Sequence, residues 1–350
     1  MHLQKQILQW LQRLTALNDG NVSLAASAAA FEGDLDLSNL KIITTRCAQR
    51  LAEHRGRLAL DGITALSESA ARAFARKRGV ISLGGITSLS ASRGHLLLAE
   101  KLAEQDSHLS LNGLRTLPES VAGVLAFFRG HSVSLLGLRV ISQRAARALS
   151  RCESHLNLGG LKALPATPGH LALARRLASG SDHLALNGLR SLSAPVAREI
   201  AKHPGVLSLD RLSCLTAAVG RALGQSVCSW IMLCSLKSLS PAAASELTQF
   251  KGEALFFSSL TFLSEPAAKA LGELSCELSL PALESLSANA AQGLANHSGE
   301  LHLNGLRMLS SAAARALANH EGPFYLPKKI LQADFAGHRA LKCNPYLHPC

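Results

Sequence analysis

Leu301-His302-Leu303-Asn304-Gly305-Leu306-Arg307-Met308-Leu309-Ser310 decides the fold of this chain, because the same pattern recurs along most of its 350 residues. Apolar residues stand at the first, third, sixth and ninth positions, and serine or threonine usually follows at the tenth. Successive copies are 23 to 28 residues apart, a regularity typical of repeat proteins. Twelve copies begin at Leu35, Leu58, Ile81, Leu109, Val133, Leu156, Leu184, Leu207, Ile231, Leu255, Leu278 and Leu301, and a degraded thirteenth begins at Phe324.

Each copy predicts a short strand followed by a helix. Alternating apolar and polar residues indicate a strand with one buried face. The hydroxyl at the tenth position suits the N-cap of an Ala-rich helix, and a glycine such as Gly299 follows where a left-handed C-cap is expected. Because helix crossovers keep the strands parallel, we predict an α/β fold. It is a curved βα-repeat solenoid of about twelve 23–28-residue repeats with a parallel concave sheet.

Two long repeats indicate an older duplication within the array. The intervals from Ile81 and from Leu156 are both 28 residues, whereas the others are 23 or 24. Residues 81–155 and 156–230 therefore align as blocks of three repeats, each opening with a long unit.

The repeat resembles the leucine-rich-repeat family. Leu301-x-Leu303-x-x-Leu306-x-x-Leu309-Ser310 looks like the strand-to-helix passage of the cysteine-containing type, with leucine in place of cysteine. It is also similar to Leu-x-Leu-x-Gly-Leu arrays of predicted bacterial proteins. The resemblance covers Leu35 to Gly322 and implies a leucine-rich-repeat-like horseshoe that binds a partner on its concave face. It implies no catalytic role.

Residues on either side of the array are predicted to close its open ends. Leu3, Ile7, Leu11 and Leu14 fall on one helical face. We therefore expect an N-terminal helical cap at residues 1–34, the solenoid at 35–323 and a C-terminal cap at 324–350, since terminal units of solenoids are usually atypical.

Composition limits the setting in which the protein works. Thirty-six basic against 24 acidic residues give a net charge of +12, which favours acidic surfaces, nucleic acid or anionic lipid as partners, or serves solubility alone. Eight cysteines without a C-x-x-C pair are expected to be reduced and mostly buried, which indicates a reducing, cytoplasmic location. No export signal or membrane span is expected, and secretion as an effector without such a signal is the alternative.

The seventh position of the repeat provides one candidate binding surface, a basic rim. Arg115, Arg139, Lys162 and Arg190 occupy it in consecutive units and are expected to form a ridge that binds an acidic protein or nucleic acid. The alternative is a solvated edge propagated by duplication. Scarce aromatic residues, 4% of the chain, weigh against single-stranded nucleic acid. The predicted rim residues are Lys41, Arg115, Arg139, Lys162, Arg190, Lys237 and Arg307.

The exposed positions of the strands provide a second candidate surface on the concave side. They are mostly polar and are interrupted by Met232 and Phe256, a pattern that suits protein binding. Asn112, Asn187 and Asn304 have an equally simple structural interpretation, because asparagine can satisfy backbone groups of the next coil. The predicted concave residues are Asp36, Asp61, Asn157, Asp210, Met232, Phe256 and His302.

Neither a catalytic nor a metal site is predicted. Ser181-Asp182-His183 has the composition of a hydrolase triad, but adjacent residues on a turn rarely converge. His54, His203, His297 and His320 follow helices, where the helix dipole favours positive charge. No cofactor or small-molecule substrate is expected.

Taken together, these patterns predict a bacterial-type protein-interaction scaffold with a protein partner. The alternative from another class is a basic solenoid that binds nucleic acid.

Overall fold

The computed structural model describes residues 12–332 and 338–350, in which short strands alternate with helices. The strands are β1 (Ala16–Leu17), β2 (Leu35–Asp36), β3 (Ile42–Ile43), β4 (Leu58–Ala59), β5 (Ile81–Ser82), β6 (His108–Ser110), β7 (Ser132–Ser134), β8 (His155–Asn157), β9 (Leu184–Ala185), β10 (Val206–Ser208), β11 (Trp230–Met232), β12 (Ala254–Phe256), β13 (Glu277–Ser279), β14 (Leu301–His302), β15 (Phe324–Leu326) and β16 (Leu347–Pro349). The helices are α1 (Val22–Ala29), α2 (Thr45–Leu51), α3 (Glu68–Ala75), α4 (Arg93–Ala103), α5 (Glu119–Leu125), α6 (Gln143–Leu149), α7 (Pro168–Ala178), α8 (Ala194–Ile200), α9 (Ala217–Gly224), α10 (Pro241–Leu247), α11 (Glu265–Leu271), α12 (Ala288–Ala295), α13 (Ser311–Leu317), α14 (Lys328–Gln332) and α15 (His338–Lys342).

The chain divides into two compact units. The first extends to Leu161 and includes Thr167–Leu173, and the second comprises Lys162–Ala166 and Ala174–Cys350. In the first unit, β1 pairs with β3, and two three-stranded sheets have the orders β2-β4-β5 and β6-β7-β8. In the second unit, β9 to β16 form one eight-stranded sheet in sequence order. Every pair is parallel, as the repeat pattern predicts.

The strand register confirms the repeat boundaries. First-position residues are partners across neighbouring strands, as in Leu278 with Leu301 and Leu301 with Phe324. The series continues one coil further than the sequence indicated, because Phe324 pairs with Leu347, again 23 residues later. The predicted cap boundaries at residues 34 and 323 remain a prediction. Of the N-terminal apolar face, Leu3, Ile7 and Leu11 lie outside the described residues.

The core of each unit consists of columns of leucine and alanine. Side chains at the first, third and sixth repeat positions, such as Leu301, Leu303 and Leu306, are buried. On α13, Ala313 and Leu317 are buried as well. Burial of a leucine side chain contributes about 2 kcal/mol, so many equivalent coils sum to a stable stack. None of the helices in the two described ranges is long and apolar enough to cross a bilayer.

The predicted N-caps are present in most of the regular coils. The Ser310 hydroxyl accepts from the Ala313 backbone N–H at 3.2 Å. Equivalent bonds form at Ser67, Ser142, Thr216, Ser240 and Ser287. In the two long repeats the helices begin later and extend to 11 residues, so neither Ser90 nor Pro165 is an N-cap.

A buried histidine near the helix start is common to both long repeats. Nδ1 of His95 lies 2.7 Å from the Ser90 hydroxyl, and its Nε2 lies 3.1 Å from the Leu66 carbonyl oxygen of the preceding coil. His170 repeats this bridge with Thr167 and the Ile141 carbonyl oxygen. This shared hydrogen-bonding arrangement supports the duplication of a three-repeat block.

The glycines after the helices have a different role from the one predicted. Only Gly79 among those predicted to be left-handed caps has a positive φ, of 86°. Gly56 is required by close approach instead, since a β-carbon there would lie 1.9 Å from the Gly33 carbonyl oxygen. Tight stacking of coils, rather than backbone handedness, therefore selects glycine at this turn.

The same turns bury polar side chains beneath the helix ends. Nζ of Lys77 donates to the carbonyl oxygens of His54, Gly56 and Arg78 at 2.7–2.8 Å. Burial, with a smaller contribution from nearby Lys101, lowers the pKa of Lys77 to about 8.

The buried histidines after the helices correct a second expectation. His54, His203, His297 and His320 are buried. At His297 and His320, burial lowers the pKa of the imidazole, to about 4 at His297, so these two side chains do not carry the positive charge that the helix dipole suggested.

Candidate binding surfaces

The strand face is the surface on which the side chains of alternate strand residues project away from the core. It comprises the second and fourth repeat positions and the residue before the first position, because successive side chains of a strand point to opposite sides. The strand face of each unit is described separately below.

In the first unit, the predicted acidic and amide residues bond to their own backbone or to the next coil. Oδ1 of Asp61 accepts from the Ser82 hydroxyl at 2.5 Å and from the Gly84 N–H at 2.6 Å. Oδ1 of Asn112 makes the same pair of bonds with Ser134 and Leu136, which is the structural role that asparagine can have. These two side chains join adjacent coils.

Asp36 and Asn157 bond more locally. Oδ1 of Asp36 accepts from the Ser38 N–H at 2.9 Å, and the side-chain and backbone hydrogen bonds from Ser38 lower the Asp36 pKa. Oδ1 of Asn157 accepts from the Gly159 N–H at 3.2 Å. Both residues shape the turn that ends their strand.

In the second unit, three large side chains form an apolar patch consisting of Trp230, Met232 and Phe256. Strand pairing places Met232 opposite Phe256, and the rings of Trp230 and Phe256 are 5.7 Å apart. Trp230 is 40% exposed, and its indole N–H donates to Oε2 of Glu253 at 2.8 Å. Indole fixed by one polar bond offers a rigid, amphipathic contact surface.

Beside this patch, polar groups connect neighbouring strands. His183 Nε2 lies 2.6 Å from the Ser208 hydroxyl, which donates to the sulfur of Met232 at 3.2 Å. The partner of His183 is therefore a serine of the next coil and not Ser181, as expected if the triad exists in composition only. Asp210 lies near Cys234, whose pKa is raised chiefly by burial and also by this carboxylate.

A further group on this face is the Glu–His cluster, which comprises Glu277, Glu300 and His302. Nε2 of His302 lies 2.9 Å from Oε1 of Glu300 and 3.4 Å from Oε1 of Glu277. The ring of Tyr325 stacks on that of His302 with centroids 4.5 Å apart and planes 1° apart. Glu300 raises the pKa of Tyr325 through its negative charge.

The basic rim residues are exposed, and the backbone sets them in rows. Within the second unit, the Arg190 N–H donates to the Lys162 carbonyl oxygen at 3.4 Å, so the backbones of these two cationic residues lie side by side. Within the first unit, Arg115 and Arg139 follow the paired strands β6 and β7. Lys41 and Lys237 are also exposed. Arg307 differs, because Glu284 of the preceding coil forms an ion pair with it at 2.9 Å.

Comparison with solved structures shows the fold of this chain. No protein-family model matches the chain, and no curated protein matches it. The crystal structure of the mouse RP105/MD-1 complex aligns with 90% of this chain at 17% identity and a TM-score of 0.52. RP105 is a leucine-rich-repeat protein. The chain has the leucine-rich-repeat fold. It spans about half, 53%, of the matched chain.

Two other leucine-rich-repeat structures align less closely and add nothing to this assignment. An internalin of Listeria monocytogenes covers 99% of this chain, which in turn covers 93% of it, at 14% identity and a TM-score of 0.40. The complex of TLR13 with ssRNA13 covers 93% and is covered to 54%, at 15% identity and a TM-score of 0.48.

Several strand-face residues of the leucine-rich-repeat array were not predicted. Trp230, Glu277 and Glu300 each precede the first apolar position, and the repeat pattern was counted from that position onward. Period-2 alternation extended one residue upstream would have placed all three on the strand face. Tyr325 was missed because it lies in the degraded copy at Phe324.

Proposed function

We propose that this protein is a non-enzymatic interaction scaffold, and that the strand face of its second unit binds a protein partner. The apolar patch carries the proposal, because Trp230, Met232 and Phe256 place three large apolar side chains side by side on two adjacent strands of that face. RP105, with its TM-score of 0.52, was crystallised in a complex with MD-1, which supports a protein as the partner class.

The energetics of interfaces favour this patch over the surrounding polar groups. Tryptophan and other large apolar residues supply most of the binding energy at hot spots, where truncating one of them costs about 2 kcal/mol or more. Trp230 and Phe256 are held in contact before any partner arrives, so little side-chain entropy is lost on binding. The Glu–His cluster and the His183–Ser208 pair provide polar surroundings for the apolar patch.

Nucleic acid or an acidic protein on the basic rim is the second candidate function. Its support is the row formed by Lys162 and Arg190, two exposed cations whose coils are joined by a backbone hydrogen bond. Arg307 does not strengthen this candidate, because Glu284 already neutralises it.

We also propose a reducing, cytoplasmic location, which the eight free cysteines support; secretion as an effector is the alternative.

Charge placed on each surface separates the two candidates. We expect Met232→Glu with Phe256→Glu to lower partner affinity by more than about 100-fold, because it buries charge in the contact (2.8 kcal/mol at 1.4 kcal/mol per tenfold). We expect the main effect of Lys162→Glu with Arg190→Glu to be a change in how partner affinity varies with salt concentration. The partner is captured from extract of the native host in parallel with and without nuclease treatment, and affinity is measured on the purified partner.

The matched control adds the same two charges elsewhere on the second unit. Ala242 and Ala312 are exposed on helices, and Ala242→Glu with Ala312→Glu should bind the partner as the parent does. Loss of binding on nuclease treatment, with full binding by the Met232→Glu, Phe256→Glu protein, would support the nucleic-acid candidate and overturn the protein-scaffold proposal.

A further inference from the structure

Two carboxylates are forced together by the strand register of the second unit. β13 and β14 pair with Leu278 opposite Leu301, and the Leu278 N–H donates to the carbonyl oxygen of Glu300 at 2.8 Å. Glu277 and Glu300, each one residue upstream, therefore occupy equivalent places on adjacent strands. Both project onto the strand face.

This arrangement is unfavourable unless a cation compensates it. Like charges directly opposite each other on neighbouring strands destabilise a sheet. In the described part of the chain, no lysine or arginine forms an ion pair with Glu277 or Glu300. His302 is the nearest basic group, and it is flanked by both carboxylates.

The contacts between His302 and the carboxylates do not have hydrogen-bond geometry. Nε2 is fully shielded from solvent and has no hydrogen-bond partner, although Glu300 Oε1 is 2.9 Å away and Glu277 Oε1 is 3.4 Å away. Both oxygens therefore lie off the direction in which Nε2 would donate a proton. Oxygen ligands that share a metal ion with an imidazole are arranged in this way, around the axis along which the imidazole nitrogen binds the metal.

The 3.4 Å between His302 Nε2 and Glu277 Oε1 matches an edge of a tetrahedral zinc coordination sphere, and Glu300 Oε1, at 2.9 Å, would move outward by about 0.5 Å on metal binding. With Zn–N near 2.0–2.1 Å and Zn–O near 2.0–2.2 Å, tetrahedral ligands lie about 3.4 Å apart. The ligand atoms of Glu277, Glu300 and His302 all lie within 4.8 Å of one another. Parallel stacking of Tyr325 on His302 holds the imidazole plane and so fixes the direction of Nε2.

We infer that Glu277, Glu300 and His302 form a Zn²⁺ site on the strand face of the second unit. The imidazole nitrogen is a borderline ligand that zinc accepts more readily than calcium or magnesium does, and zinc also binds carboxylate oxygens. Three protein ligands leave the fourth position open on an exposed face. The site adds metal dependence to that face and does not rest on the proposed function.

Zinc uptake by the full-length chain tests this site directly. Equilibrium dialysis against Zn²⁺ at neutral pH is carried out on protein whose exposed thiols, at Cys214, Cys343 and Cys350, have been changed to serine, because thiolates also bind zinc. We expect one Zn²⁺ per chain and a rise in melting temperature on its addition. Glu277→Gln with Glu300→Gln should weaken uptake by more than about tenfold and abolish the rise.

A matched variant and a second readout exclude trivial explanations. His183→Gln removes a histidine from the same face, outside the cluster, and should leave uptake unchanged. In the presence of a chelator, the double glutamine variant should melt no lower than the parent, because it relieves the repulsion between the carboxylates.

His302→Gln, which keeps both carboxylates, should also weaken uptake by more than about tenfold. Uptake by the double glutamine variant equal to that of the parent, or no uptake by the parent at millimolar Zn²⁺, would overturn the assignment. Partner binding measured in chelator keeps this outcome separate from that of the scaffold proposal.

Discussion

Leu186→Asp is expected to lower the free energy of unfolding by about 4 kcal/mol or more. Leu186 is at the third repeat position, 1% exposed, in a column of buried leucines of the second unit. A carboxylate there has no cation or polar partner and loses its hydration, in addition to the packing lost with the leucine. Urea denaturation monitored by circular dichroism measures the change.

Ala185→Asp is the control for that result. Ala185 precedes Leu186 and lies on the strand face, where it is only partly buried. The same charge should therefore cost less than about 1 kcal/mol at this neighbouring residue. Equal stability of the two variants would show that the register of the repeat is wrong.

Acidification is expected to destabilise the protein through His297 and His320. Burial, with a smaller effect from His320, lowers the pKa of His297 to about 4 from the ordinary value of 6.5. Between these two pH values the unfolded chain binds more protons than the folded one, so the free energy of unfolding falls as the pH falls. A pKa lowered from 6.5 to about 4 corresponds to a loss of about 3 kcal/mol by pH 4.

The neighbouring coil indicates which substitution removes this effect. Leu274 occupies the equivalent buried place before β13, so His297→Leu with His320→Leu should fold and show a flatter stability profile between pH 6.5 and 4. His155 is exposed, and His155→Leu should retain the slope of the parent. Parallel profiles for the parent and the double leucine variant would contradict the buried neutral state.

Features that belong to a single coil were predictable from the sequence. The strand at Leu301 and the cap at Ser310 depend only on the order of residues within one repeat, and both are present. In the long repeats, the residue at the tenth position was not sufficient to predict where the helix begins. The helix there begins later, and His95 near its start contacts the Leu66 carbonyl oxygen of the preceding coil.

Features that join different coils were harder to foresee. Gly56 was interpreted through backbone handedness, but the constraint is the carbonyl oxygen of Gly33 in the preceding coil. The role of Asp61 likewise depends on Ser82 of the next coil. The Glu–His cluster required the parallel register of β13 and β14, which can be read from the repeat only when the residue before each strand is included.

Position-resolved cross-linking tests the central claim, that the strand face of the second unit is the binding surface. A photo-reactive phenylalanine analogue replaces Phe256 on the strand face, Arg190 on the rim or Ala312 on a helix, each in a separate protein. The captured partner is added at physiological salt, irradiated and resolved by mass. The account predicts a cross-link from residue 256 and none from residue 312. A partner that cross-links from residue 190 or 312 but not from residue 256 would contradict it.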